Sequence, residues 1–403
     1  MKSKLVIIFI AILETANAQG TWTAKTNFGG VVRDNAVGFS IGTKGYFGTG
    51  WGGAANYYKD FWEYDPALDL WTQKADFPGA ARGNASAFSI GTKAYVGLGD
   101  SGGTFYQDFW EYDPVSNIWT QMADYGGGLI SGAVAFAIGV KGYIGTGFST
   151  TALTQQFWEY NSLTDVWTSK ANFGGAARVY ATGFSISGKG YIGTGWNGST
   201  TFFQDFWEYD TISNSWTAKA NIPVGRCSAT AFSIYNLGYI GTGQSTLGGG
   251  YLQDLWQYNP ATNVWTAKAN YGGGITGGAA GFSINNAGYI GTGVDIGSGS
   301  GYTNVFWKYA PDTALITNVN ENVNNNSISI FPNPFSSNTT ISFDKKINNS
   351  TIKIIDILGK TVQAINFSGQ NLIFKKGELK NGIYIIEVIE NNQIVGSKKI
   401  VVE

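Results

Sequence analysis

The chain predicts an all-β protein: six copies of a four-stranded unit closed into a ring by the N-terminal strand, then a small β-sandwich. Three observations carry that expectation. Two tryptophan frames each recur six times, at a period of 48–51 residues. Each period holds four short runs rich in aromatic and β-branched residues, bounded by Gly, Asn, Asp or Ser. Composition agrees: of 403 residues 57 are glycine, with 15% aromatic and only 13% charged. That mixture favours many short strands on glycine turns over long helices or disorder.

Residues 1–18 set the compartment. Lys2 and Lys4 precede an apolar run over residues 5–13, and Ala16-Asn17-Ala18 follows. This is the charged, apolar and small-residue order of a secretory signal peptide, which puts the mature start at Gln19. The run is too short to span a bilayer, and no later segment is long enough. The single cysteine, Cys227, rules out an intrachain disulfide. Histidine is absent, which removes histidine triads, histidine-ligated metals and the usual general base near neutrality. No cofactor and no metal is implied. A formal net charge of −1 without a basic run argues against a nucleic-acid partner.

The repeat spans residues 19–312. Trp-Thr recurs at Trp22, Trp71, Trp119, Trp167, Trp216 and Trp265. The frame (Phe/Leu)-Trp-x-Tyr recurs at Trp62, Trp110, Trp158, Trp207, Trp256 and Trp307. Such a period falls in the range of propeller blades. In residues 181–219 the four strands are "ATGFSIS", "KGYIGTG", "QDFWEYD" and "SWTAKA". The first is built of small residues, as the crowded axis of a propeller requires, and the outer ones carry rings that fill the widening wedge. From Tyr to the next Trp is seven residues in five copies, from Tyr64–Trp71 to Tyr258–Trp265. A fixed length is what a closed hairpin demands. The chain begins on a fourth strand, "TWTAK", and the repeat stops after a third, "NVFWKY". Ring closure alone pairs both, which predicts six blades with no open edge. The twelve framed tryptophans are then blade-to-blade packing.

Residues 19–312 resemble a six-bladed kelch-repeat propeller. The resemblance rests on the paired Tyr and Trp of "WEYDPVSNIW", the glycine turn after the second strand and the Arg before the first. The family's adjacent glycines appear here as Gly-Thr-Gly, as at Gly48 to Gly50 and Gly145 to Gly147, and once as Gly97-Leu98-Gly99. A phosphate-binding loop is rejected, because no helix follows these glycines.

Residues 313–327 are Asn-rich and read as a linker. Residues 328–403 alternate apolar and turn residues in about seven short strands, an immunoglobulin-like sandwich. The charge changes sign from acidic over 19–312 to basic over 313–403. This tail resembles the C-terminal sorting domain of the type IX secretion system, through Pro332-Asn333-Pro334, Leu358-Gly359-Lys360, Gly382-Ile383-Tyr384 and Lys399-Ile400-Val401. The resemblance implies passage through that machinery and across the outer membrane of a Gram-negative bacterium. It also implies removal of the tail and a product that is attached to the surface or released.

Candidate ligand contacts lie in two loops that share one face of each blade. The chain's four arginines, Arg33, Arg82, Arg178 and Arg226, each lie six residues before a first-strand phenylalanine. Blades three and six carry Ile130 and Thr276 there. In kelch relatives this loop edges the mouth of the central channel, and a guanidinium suits carboxylate or phosphate. A copied structural arginine that bonds loop carbonyls is the alternative. The slot after Gly-x-Gly holds Trp51, Asp100, Phe148, Trp196, Gln244 and Val294. Variation in residue type at one slot is what a binding surface shows. Trp51 and Trp196, three blades apart, stack on sugars or anchor a protein, or else cover their own loops. Asp60, Asp108, Asp205 and Asp254 read as loop caps, Glu63, Glu111, Glu159 and Glu208 as repeated strand positions. Cys227, beside Arg226, reads as a small buried residue.

The leading expectation is a non-catalytic surface module that binds a glycan, a protein or another acidic ligand. Two alternatives stand beside it. One is an enzyme resembling bacterial N-acetylneuraminate epimerases, with arginines for the sugar carboxylate; an oxidase resembling galactose oxidase would need histidine. The other is a structural surface-layer component.

Overall fold

Strands form where the repeated segments place them. The computed structural model describes residues 19–248, 250–295, 301–312, 328–356, 361–390 and 393–402. The expected signal peptide, the linker and the Leu358-Gly359-Lys360 motif lie outside the described residues. Among the described residues all regular elements are strands. The chain divides into two units at Asp312.

In the first unit the described residues build six antiparallel four-stranded sheets. Val37–Ile41, Lys44–Gly48, Phe61–Asp65 and Leu70–Lys74 form one of them. Burial falls from the first two strands to the largely exposed fourth. The sheet of Ala280–Ile284, Ala287–Gly291 and Phe306–Ala310 takes its fourth strand, Thr21–Lys25, from the other end of the repeat region. Thr21 lies opposite Ala310 and Lys25 opposite Phe306. Trp22 packs 5.1 Å from both Tyr271 and Tyr309, and the Tyr309 hydroxyl donates to the Gln19 carbonyl.

Backbone hydrogen bonds run round the axis. The amide of Asn84 donates to Asn35, Gly132 to Asn84, Tyr180 to Gly132, Ser228 to Tyr180, Gly278 to Ser228 and Asn35 to Gly278. The last bond returns to the first residue. All six have φ between 48° and 66°, the left-handed region that turns each N–H toward its neighbour. Neighbouring sheets meet through rings set against glycines. A Cβ on Gly45 would lie 2.0 Å from the Phe282 ring, and one on Gly142 the same distance from Phe88. This close approach explains the glycine of the repeated Lys-Gly-Tyr. One apolar cluster joins Phe47, Tyr64 and Trp71 to Phe282, Tyr289 and Phe306, so the first and last sheets pack together.

The tryptophan frames have a physical reading. Indoles of Trp71, Trp119 and Trp167 donate to the carbonyls of Thr26, Ala75 and Ala123 in the preceding repeat. Trp22 reaches Ala269 in the same way. The constant Tyr-to-Trp length follows from the turn. Tyr64 donates to Asp69, Tyr112 to Asn117 and Tyr209 to Asn214, each acceptor five residues on and at positive φ. Inserting a residue would break that bond.

The second unit departs from the expected seven short strands. Its described residues form one five-stranded sheet: Ile328–Phe331, Asn338–Asp356, Thr361–Lys375, Gly382–Glu390 and Gln393–Val402. Asn338–Asp356 runs 19 residues and pairs with Thr361–Lys375 across register shifts at Ser342/Ile347 and Ile347/Ser350. Polar residues that read as turns, Asn348-Asn349-Ser350 and Ser368-Gly369, sit at or beside those shifts. A bulge absorbs them without ending the strand. The sheet wraps a core of Ile341, Phe343, Ile352, Ile354, Ile386 and Ile400 among others.

Candidate functional site

The slot residues gather on the face that carries the arginine loops. Each pairs with the residue after the arginine position: Asp34 with Trp51, Gly83 with Asp100, Ser131 with Phe148, Val179 with Trp196, Cys227 with Gln244 and Gly277 with Val294. The third residue of each Gly-x-Gly donates its amide to the arginine-position carbonyl of the next repeat, as Gly50 does to Arg82.

The arginines themselves are corrected. Arg33, Arg82, Arg178 and Arg226 are at most 1% exposed, so the expectation that they face a ligand does not hold. Arg178 donates through Nη1 and Nη2 to both oxygens of Asp205 at 2.6 and 2.8 Å. It also bonds the carbonyls of Ala176 and Thr194. Its guanidinium lies between the rings of Phe173 and Phe203, 4.7 and 4.0 Å from their centroids. Arg33, Arg82 and Arg226 repeat the pairing with Asp60, Asp108 and Asp254. These aspartates are ion-pair partners rather than loop caps, and each also accepts the indole N–H two residues on. A charge this deeply buried must be matched locally, and the planar fork does so bidentately. The sequence held a signal for this pairing. Where Ile130 and Thr276 replace arginine, Gln156 and Val305 replace aspartate.

Three of the other candidates come together. Asp100, Phe148 and Trp196 line a cavity of about 410 Å³, with Phe105, Leu153 and Tyr180 completing its wall. Phe148 and Phe105 lie 5.8 Å apart, and Phe148 is 37% exposed. Trp196 stands on Phe202, and its indole N–H donates to the Ser199 carbonyl, so the loop fixes the ring. Asp100 Oδ1 accepts from Ser131 and Asn84, while Oδ2 has no hydrogen bond among the described residues. Burial, then the charge of Asp100, pushes the Tyr180 phenol up to about 12, so it remains a donor at neutral pH. Tyr180 also lines the channel mouth. Among the described residues, Asp100 is the one charged residue that lines the cavity. Trp51 lies elsewhere. It stacks on Tyr57, meets Tyr302 edge-on, and donates its indole N–H to Ala54.

Sequence reasoning passed over Asp34. It is 5% exposed, and its Oδ1 has no hydrogen-bond partner. Burial pushes its carboxyl up to about 7, against 3.8 for the free group. The fold therefore holds a proton that the unfolded chain releases. The stabilisation from this site is complete below the unfolded value and is lost as pH rises through the folded one. Unfolding of the mature chain, followed from about pH 4 to 8, should show a decline that Asp34→Asn flattens. Parallel profiles for the two proteins would mean that Asp34 is ionised in the fold. Burial pushes the Cys227 thiol up to about 11, so the adjacent arginine does not activate it.

Comparison with known proteins adds fold and address. The chain is similar to the solved structure titled "Structure of YjhT", at 18% identity and a TM-score of 0.58. The match covers 68% of this chain and 94% of the other, and it shows a propeller-like fold. A 77-residue stretch is 39% identical to an endo-acting ulvan lyase of Formosa agariphila. That stretch is 19% of this chain, which spans only 15% of the lyase. Among the described residues no helix is long and apolar enough to cross a membrane. Residues 329–403 match the secretion system C-terminal sorting domain. The chain therefore carries a type IX sorting tail, which directs it through that machinery to the cell exterior.

Proposed function

We propose that residues 19–312 are a six-bladed kelch-type propeller, closed by its N-terminal strand, that binds an uncharged glycan without altering it. The aromatic cavity at Trp196 carries this reading. Small-molecule sites of this size pair apolar walls with a few fixed polar groups. Here Trp196 and Phe148 offer ring faces to a sugar, while Asp100 Oδ2 and the Tyr180 hydroxyl offer an acceptor and a donor. With the four arginines turned inward, no cation lines the cavity, so the acidic ligand of the earlier expectation is replaced by a neutral one. The six sheets and the circle of six amides support the ring. The similarity to an ulvan lyase is about as long as the sorting domain, so it supports an extracellular setting and lends nothing to a substrate or to lyase chemistry. Export is proposed to follow cleavage after Ala18 in a Gram-negative cell.

A glycan array on residues 19–403, followed by calorimetric titration of the hits, tests this. Trp196→Ala should weaken binding about thirtyfold, the usual cost of removing a central tryptophan anchor. Asp100→Asn should weaken it less, and Trp51→Ala not at all. Binding indifferent to Trp196 would remove the site. Chemical change of the bound sugar in NMR spectra would replace binding with catalysis.

A further inference from the structure

A second cavity, of about 460 Å³, lies at the seam where the first and last sheets of the repeat region meet. It breaks the repeat in charge. In four sheets a second-strand tyrosine donates to a glutamate directly across the ladder: Tyr46 to Glu63, Tyr95 to Glu111, Tyr143 to Glu159 and Tyr191 to Glu208, at 2.6–2.8 Å. A fifth pairs Tyr239 with Gln257. These glutamates also collect lysines, as Glu159 does from Lys141 and Lys170. In the sixth sheet the residue opposite Tyr289 is Lys308. The lysine that would open the second strand is Ala287. Among the described residues, the Lys308 ammonium has no ion pair and the Tyr289 hydroxyl no hydrogen bond.

Lys25 and Lys44 line the same cavity as Lys308 and Tyr289. Lys25 turns to Asp69 at 3.7 Å, and Lys44 pairs with Asp65. With Asp69 counted beside Lys25, three ammonium groups meet two carboxylates, and Lys308 is the one left unmatched. A cluster that is internally neutralised in its siblings keeps one unmatched ammonium here, with the Tyr289 phenol among the same lining residues. An unmatched ammonium in such a cluster attracts an anion.

We propose that this seam binds a dianionic phosphate ester, with Lys308 as the principal charge and Lys25, Lys44 and Tyr289 around it. The site is separate from the Trp196 cavity, so either can fail alone.

The test is titration of residues 19–403 with inorganic phosphate, glucose 6-phosphate and glucose at low ionic strength, read by calorimetry. Both anions should bind and glucose should not. Tighter binding of the ester would show that the site reads the attached sugar as well as the charge. Lys308→Glu restores the pairing of the sibling sheets and should keep the fold, yet weaken both anions about tenfold or more. Lys141→Gln, at a neutralised cluster, should leave affinity unchanged. Absence of anion binding at millimolar concentration, or equal affinity in wild type and Lys308→Glu with unchanged melting temperature, would overturn the proposal.

Discussion

Asp205→Ala should lower the unfolding free energy by about 3–5 kcal/mol, the usual cost of stranding one member of a buried ion pair. Arg178 would keep its charge at 0% exposure with only two carbonyls to bond, and the Trp207 indole would lose its acceptor. Arg178→Met should cost less. The remaining carboxylate is 30% exposed and can rehydrate, while the methionine stem still fills the gap between Phe173 and Phe203. Combining Arg178→Met with Asp205→Leu should recover part of the loss, because paired apolar replacements avoid an unmatched charge. Urea unfolding of the three variants measures this order. If Asp205→Ala costs under about 1 kcal/mol, the guanidinium reaches solvent and a ligand role for the arginines reopens.

That contrast shows what the sequence could and could not tell. The repeat was legible because one spacing recurs with one hydrogen bond behind it, the tyrosine hydroxyl to the αL residue of the hairpin. The slot after Gly-x-Gly was legible as irregular, and three of its members, Asp100, Phe148 and Trp196, do meet in one cavity. Their meeting depends on which loops lean together across sheets, which no spacing encodes. The arginines misled because a guanidinium in a loop looks the same whether its partner is a ligand or an aspartate some 27 residues later. Only the joint loss of both residues in two repeats distinguishes the cases. Asp34 gave no sign, since burial of a loop carboxyl depends on how the sheets pack together. In the tail, turn-forming residues predict strand ends where the structure bulges, because local propensity cannot see that the partner strand shifts register in step.

Removing residues 19–25 should be the costlier change, about 5 kcal/mol or more, enough to consume much of the stability of an ordinary domain. Loss of Trp22 alone removes a ring packed on Tyr271 and Tyr309, worth roughly 3 kcal/mol. Deletion also strips Phe306–Ala310 of one of its two partner strands and leaves that edge open to association. The truncated chain should therefore melt far lower and self-associate. A synthetic peptide of residues 19–28 should restore part of the lost melting temperature by re-forming the strand in trans. A framed tryptophan elsewhere supplies the scale: Trp119→Ala removes comparable packing but opens no edge, so it should destabilise without promoting association. If the truncated chain melts with the full one, the circle of six amides at the axis and the Phe47–Phe306 packing suffice for closure, and the N-terminal strand is an accessory to a ring already complete.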